Sequence, residues 1–316
     1  MTSSREFHRA AHYSVSTMLF ALKQLFILFK GGIVIFVLIG GLACYALGDP
    51  LVSVFSWTHL LLTLLGLAAL SAGSFTLNQV QEIAVDKKMN RTRQRPLATA
   101  WMSSREALWL GIVLLGIGLA ALYLVSPLAA VLGFITVSLY NGFYTIVWKK
   151  KWAFGAVPGA VPGAMPVVIG YAAICDTIFT QECFYLFLIL FLWQMPHFWA
   201  IAVKLREDYE RGGVPVLPVK IGVEGTLFHI GLYTFCYVAL AMASPWFVPA
   251  RYAYMFLVIP VVCKLLWQFL LYMRSRGEQG WLPFFLWTNL SVLVFLIAPV
   301  IDKWTYILAG MEKVIQ

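Results

Sequence analysis

The chain reads as an all-α polytopic membrane protein, on three observations. Its 316 residues are 61% hydrophobic and only 12% charged, with a mean hydropathy of +0.82, far from the balance of a soluble globular domain. Nine apolar stretches each reach the roughly twenty residues that a helix needs to cross a bilayer. Eighteen Lys and Arg residues fall on one side of these stretches and three on the other, leaving only Lys30 and Lys264 inside spans. Because positive charge gathers on the cytoplasmic face, the pattern predicts nine transmembrane helices with the N-terminus cytoplasmic and the C-terminus outside.

The predicted spans run near 25–47, 57–80, 105–125, 127–147, 155–175, 183–203, 224–245, 251–273 and 283–301. The stretch 105–147 is broken only at Ser126-Pro127, yet it is too long for one span, and proline disfavours helix in the residue before it. Residues 1–22 form an expected cytoplasmic tail without a clean signal-peptide core, which predicts that it stays attached. No composition shift divides the chain, so 1–316 reads as one membrane domain. A net charge of +9 would suggest nucleic acid for a soluble chain, but here the basic residues set topology, and no nucleic-acid partner is expected. Cys44, Cys175, Cys183, Cys236 and Cys263 lack metal-type spacing and read as packing residues, with a Cys175–Cys183 disulfide across an outer loop as the alternative.

The chemistry starts where the second apolar run ends. Asn78, Glu82 and Asp86 stand four residues apart, so a helix places them along one face. Carboxylate and carboxamide oxygens suit Mg²⁺, which is usually shared with the phosphates of a substrate. Each charge alone also fits a solvated loop that snorkels at the headgroups. Three such groups on one face, beginning inside the apolar run at Asn78, argue instead for a cavity, because polar groups at membrane depth are costly. Arg91, Arg93 and Arg95 follow at once and stop at Pro96.

A second polar stretch occupies residues 193–220 on the same side. If the sixth helix continues through it, His197, Lys204 and Asp208 form one stripe. Glu207, Asp208 and Glu210 add a second carboxylate cluster before the Gly212-Gly213 stop. The two clusters together predict two metal-binding walls around one diphosphate. Arg91, Arg95, Lys149, Lys150, Lys204 and Lys220 are the basic groups available to complete an anion site, although Lys149 to Lys151 also read as a plain topology signal. Tyr144 either hydrogen-bonds a phosphate or anchors at the interface. His197 reads as a packed residue, a proton acceptor or a porphyrin-iron contact. The repeat GAVPGAVPGAMP at 155–166 predicts close helix packing with a kink.

These stretches together resemble the intramembrane aromatic prenyltransferase superfamily, and most closely its protoheme IX farnesyltransferase branch. The resemblance rests on Asn78, Glu82 and Asp86 with Met89, Arg91-Thr92 and Arg95-Pro96-Leu97. Further along it takes in Tyr144-Thr145 before Lys149-Lys150, Gly155 to Ala160, and Pro196 to Ala200 leading through Asp208-Tyr209 to Pro215–Val219. It spans roughly residues 25–300 and implies nine helices around a central cavity, with Mg²⁺ as cofactor. By position, Asn78, Glu82 and Asp86 look like the first acidic motif and Asp208 like part of the second. Glu82 stands where the wider superfamily has aspartate, and the second region offers one aspartate rather than a spaced pair.

The likeness implies transfer of the farnesyl group of farnesyl diphosphate to the 2-vinyl group of protoheme IX, giving heme O and diphosphate. Asn78, Glu82, Asp86, Asp208 and His197 would then be catalytic, with Tyr144 and the basic groups above on the diphosphate. The expected setting is the lipid bilayer of a bacterial plasma (inner) membrane, with the active-site loops cytoplasmic. A heme A synthase or an oxidase assembly factor is the expected partner. A sister enzyme using a quinone or chlorin precursor is the alternative of the same class; a transporter is the rival of another class, although repeated halves are not seen.

Overall fold

The computed structural model describes residues 17–48, 56–248 and 251–308. Most of the expected tail, most of the gap at 48–56, and Lys313 lie outside these. The described residues are helical without strands, and eight of the helices are long and apolar enough to cross a membrane. The first predicted span is two elements rather than one. A short apolar helix, α1 (Thr17–Leu28), ends before Lys30, and α2 (Gly31–Gly48) starts after it. Lys30 has a left-handed φ of 52°, and its carbonyl accepts from the Ile33 nitrogen at 2.7 Å to open α2.

Helix α3 (Trp57–Asp86) starts at Ser56, whose side chain caps the His59 nitrogen, and runs six residues beyond the predicted end. Asn78, Glu82 and Asp86 therefore all lie on one helix. A capping box between Ser103 and Glu106 begins α4 (Ser104–Val125). The predicted break at Ser126-Pro127 is present: Ser126 caps α5 (Pro127–Val137) and the proline takes its first position, where its missing N–H costs nothing. Beyond Val137 the chain widens into an 11-residue π-helix, Ser138–Trp148, and closes with one turn, α6 (Lys149–Lys151).

The proline-rich stretch forms α7 (Ala156–Ala172), a 17-residue helix with Pro162 and Pro166 inside it. Helix α8 (Gln181–Lys204) carries Pro196 and stops at Lys204. This corrects the expected continuous helix through Asp208: the chain turns at Leu205 before α9 (Arg206–Gly212) and α10 (Leu217–Lys220). The remaining helices are α11 (Gly222–Met242), α12 (Tyr252–Arg274) and α13 (Trp281–Leu308). Asp302 of α13 caps the start of α12, accepting from the Arg251 and Tyr254 nitrogens at 2.8 and 3.0 Å. All five cysteines are free, and Cys175 donates to the Gly48 carbonyl instead of meeting Cys183 in a disulfide.

Neighbouring long helices pack in chain order, and α13 returns to α2, so the bundle closes on itself. Helix α7 packs along α2 as well as α5 and α8. The tightest crossing joins α3 to α4 through small residues, which is how helices approach when lipid supplies no hydrophobic drive. A Cβ added at Gly118 would stand 2.6 Å from the Leu70 nitrogen, and one at Gly73 would stand 2.8 Å from the Gly111 oxygen. Gly118→Val therefore forces two backbones apart; overpacking of this kind costs about 1–3 kcal/mol, expected as a lowered Tm of the detergent-solubilised protein followed by circular dichroism.

Candidate active site

The polar face of α3 is buried: Asn78 is 1%, Glu82 3% and Asp86 3% exposed. Each of these side chains holds one basic group, and each basic group comes from a different element. Lys30, at the α1–α2 break, donates to Asn78 Oδ1 at 2.6 Å. Lys149, where the π-helix ends, pairs with Glu82. Arg95, in the loop after α3, places Nη1 at 2.8 and 2.9 Å from the two oxygens of Asp86. Pairing is what lets such carboxylates stay buried, since removing one partner of a buried ion pair costs about 3–5 kcal/mol.

Lys30 reaches this face because α1 ends early. Gln79, the neighbour of Asn78, donates from Nε2 to the carbonyls of Ile27 and Leu28, both at 3.0 Å, and so satisfies the end of α1. The left-handed conformation that follows costs a residue with a Cβ about 1–2 kcal/mol. Glycine avoids that cost, and Gly31 and Gly32 are adjacent, yet a lysine occupies the strained position. Its ammonium also lies 5.0 Å from the Phe75 ring centre and 3.5 Å from the Tyr140 hydroxyl.

The π-helix sets the opposite wall. Nine residues are two and a half α-helical turns, which would put Tyr140 and Lys149 on opposite faces. A helix with i→i+5 bonds has ~4.4 residues per turn and completes about two turns in the same step, so both side chains line one cavity together with Tyr144. Polar contacts with α3 hold this wider winding. Ser74 Oγ donates to Asn141 Oδ1 at 2.6 Å, Gln81 Nε2 donates to the Asn141 carbonyl at 3.0 Å, and Asn78 Nδ2 donates to Thr145 Oγ1 at 3.1 Å. Thr145 in turn donates to the carbonyl of Tyr140, five residues back, at 2.9 Å.

The cavity holds about 520 Å³, within the range of small-molecule sites. Its polar end contains Lys30, Glu82, Arg91, Arg95, Tyr140, Tyr144, Lys149 and Tyr209; its body is walled by Phe36, Leu67, Leu70, Ile169, Leu190 and Trp193. Gly159 of α7 leaves space that the Tyr144 ring fills, which gives the glycine repeat its local reason. His197 lines the same cavity, with its ring 4.6 Å from that of Trp193 and 5.0 Å from that of Phe285. Its Nδ1 is buried without a hydrogen-bond partner.

Other expected site residues lie elsewhere. Of the expected metal ligands only Glu82 lines this cavity; Asn78 and Asp86 reach it through Lys30 and Arg95, which do line it, and Asp208 lies in an adjoining groove and forms no second metal wall. Its oxygens accept from the backbone nitrogens of Asn90 and Arg91, both at 2.9 Å, and from Arg211. Arg91 lines the cavity too, so Asp208 positions the loop that carries Arg91 and Arg95. Lys204 sits in an adjoining charged groove with Asp208, its ammonium 5.9 Å from the Trp281 ring centre. Lys150 and Lys220 are exposed at the surface and do not line the cavity. Among the ionisable lining residues, Lys30, Tyr140 and Tyr209 are those that sequence reasoning did not place in the site; the lysine inside an apolar run just before Gly-Gly was the available signal for the first.

Among the described residues no three His, Cys, Asp or Glu side chains gather into a metal-binding group. The donors on α3 are two carboxylates and an amide, and Mg²⁺ is typically held by one or two carboxylates plus substrate phosphates. The donor chemistry therefore fits Mg²⁺ presented together with a phosphate ligand.

Burial alone would raise the Asp208 carboxyl, but the Arg211 guanidinium and the Arg91 and Asn90 N–H groups outweigh it and hold the carboxyl below its usual value. Bonds to a depressed carboxylate stabilise the fold above its unfolded pKa and are lost as pH falls through the folded one. Asp208→Ala is expected to cost ~1–3 kcal/mol at neutral pH. Thermal melts of variant and parent should converge only as the pH drops below about 4.

Comparison with known proteins places this geometry. Residues 33–290 match the UbiA prenyltransferase family. The chain is 49% identical over 278 residues to a protein of Bdellovibrio bacteriovorus named protoheme IX farnesyltransferase, covering 88% of this chain and 95% of that one. A Leptospira biflexa protein of the same name is 35% identical over 251 residues, covering 78% and 88%. Among solved structures, a digeranylgeranylglyceryl phosphate synthase shares the fold with a TM-score of 0.70 at 18% identity, over 88% of this chain and 98% of that one. A UbiA homolog from Archaeoglobus fulgidus bound to GPP and Mg²⁺ superposes with a TM-score of 0.62 at 20% identity, over 87% and 99%. With the family matched over most of its length and its polar helix face opening on an apolar cavity, the chain belongs to the UbiA prenyltransferase family.

Proposed function

We propose that this membrane enzyme transfers the farnesyl group of farnesyl diphosphate to the 2-vinyl group of protoheme IX, releasing diphosphate and giving heme O. The observation that carries the reading is the joining of Glu82, Arg91, Arg95, Lys149 and Lys30 at one end of a cavity whose body is apolar. A diphosphate needs the first and an isoprenoid chain the second. Mg²⁺ would be held by Glu82 and Asp86 with Asn78 and, when bound, lowers the charge of the diphosphate so that it leaves more readily.

Arg91, Arg95 and Lys149 supply donors to the departing oxygens, an interaction that strengthens as negative charge develops there. Tyr140 and Tyr144 present hydroxyl groups at the same end. The apolar walls keep water from the allylic cation while the electron-rich vinyl carbon attacks it. Water then captures the cation formed next to the porphyrin ring and must give up a proton. His197 Nδ1, buried beside the cavity without a partner, is the proton acceptor in this reading, with Trp193 and Phe285 orienting its ring.

In this reading the protein sits in a bacterial plasma membrane with the polar end of the cavity toward the cytoplasm, an orientation that the uneven distribution of Lys and Arg supports, and α7 is a ninth span. Delivery of heme O to a heme A synthase or an oxidase assembly factor belongs to the same reading.

Mass spectrometry of heme extracted from membranes that contain the protein should show a gain over protoheme IX of one farnesyl group plus one hydroxyl, absent from membranes without it. Asp86→Ala should abolish that product and, because it strands the Arg95 guanidinium, lower stability by about 3–5 kcal/mol. Asp86→Asn keeps an acceptor for Arg95 and should abolish the product with a smaller loss of stability, and heme O at the parental level in Asp86→Asn would overturn the assignment of Asp86. His197→Ala should lower turnover with heme by about a hundredfold, within the range for a lost general base, and leave diphosphate binding intact. Equal loss of both would make His197 a packing residue.

A further inference from the structure

Among the described residues, Lys264 is the one charged side chain left facing outward in the middle of a span. Helix α12 has 23 residues, twelve before Lys264 and ten after it, and it is one of the helices long and apolar enough to cross a membrane. Lys264 is exposed, and among the described residues it has no ion-pair or hydrogen-bond partner. The other Lys, Arg, Asp and Glu side chains of the long helices are buried or stand within two turns of a helix end. A charge at mid-depth is costly, and it ordinarily faces the bundle interior or a partner. Snorkelling does not relieve this one. Half of a hydrocarbon core of ~30 Å is longer than the four-carbon stem of a lysine, whichever way the ammonium is sent.

Lys264 belongs to a stripe. Phe256, Ile259, Trp267 and Leu271 are exposed, as is Cys263, and steps of three or four residues put them on one face of α12. Helices α11 and α13 pack against α12 and leave this face uncovered. The result is an apolar strip with a single cation at its centre. Its complement is an apolar helix with a single carboxylate at the same depth. A second copy of this chain does not fit: two copies side by side in one membrane bring like residues to like depth, and none of the described carboxylates is exposed at mid-span. Lipid does not fit either, since its phosphates lie at the edges of the bilayer.

We propose that this face of α12 docks a transmembrane helix of a different membrane protein, recognised by a carboxylate side chain at mid-depth that pairs with Lys264. The inference goes beyond the prenyltransferase reading and does not depend on it, because Lys264 does not line the central cavity.

The full-length protein is reconstituted in phosphatidylcholine vesicles with a dansyl-labelled, tryptophan-free Leu/Ala peptide of about twenty apolar residues carrying one Glu at its centre. Energy transfer from the protein's tryptophans to the dansyl group reads binding. The parent should bind this peptide roughly tenfold more tightly than one with Leu at the centre, in line with the strength of polar contacts between helices in lipid. It should also prefer it to a peptide whose Glu stands two turns nearer one end. Lys264→Arg should keep the preference. Lys264→Leu should abolish it with a Tm no lower than the parent's, because the group removed has no partner within the described chain. Lys264→Glu should reverse it in favour of a peptide with a central Lys.

Equal affinity of the parent for the Glu and Leu peptides would overturn the proposal and leave Lys264 to the lipid. A preference that survives Lys264→Leu would overturn it as well. Oxidation of the vesicles to dimers linked through Cys263, absent in Cys263→Ser, would assign the face to a second copy and overturn the choice of partner.

Discussion

Burial of the charges of α3 is the constraint around which the rest of this structure is arranged. Two carboxylates and an amide at membrane depth lose their water, and in a low-dielectric setting only nearby opposite charge and donated hydrogen bonds offset that loss. The compensating groups come from three separate places: the α1–α2 junction, the loop after α3, and the end of the π-helix. Each of these elements departs from regular structure at the point where it supplies its side chain. The first span breaks and takes a left-handed residue, the loop folds back over Asp86, and the helix after Pro127 widens. Local irregularity is thus the structural cost of gathering charge at one spot.

The parts of the fold that follow from period and punctuation were legible in the chain. The four-residue spacing of Asn78, Glu82 and Asp86 needs only a helix to become a face, and the helix is there. Ser126-Pro127 marks a boundary because serine caps and proline tolerates the first helical position, whatever surrounds them. The site was less legible where backbone replaced side chain as the partner. Asp208 has the composition of a metal ligand, yet its oxygens are taken by the N–H groups of Asn90 and Arg91, and sequence spacing carries no trace of a main-chain donor over a hundred residues away.

Two further differences have a common origin in winding. The stripe from His197 to Asp208 assumed that 3.6 residues per turn continue past Lys204, and the turn at Leu205 ends that phase. Tyr140 and Lys149 appear on opposite faces for any reader who assumes an α-helix, and share a wall only because Asn141 and Thr145 are bonded into a wider coil. The shared fold with solved structures at 20% identity or less fits this division: apolar periodicity specifies the bundle, while a small number of polar contacts specify the chemistry.

The glycine crossing of α3 and α4 carries a last implication. With backbone against backbone at Gly73, Gly111 and Gly118, α3 cannot slide or rotate without a clash, so the acidic face stays where folding puts it. The lysine and arginine termini that hold it come from other elements and are longer than the α3 groups they meet. The helix serves as a stationary anvil, and its electrostatic framework is in place before any reactant arrives, which keeps reorganisation energy out of the bond-breaking step.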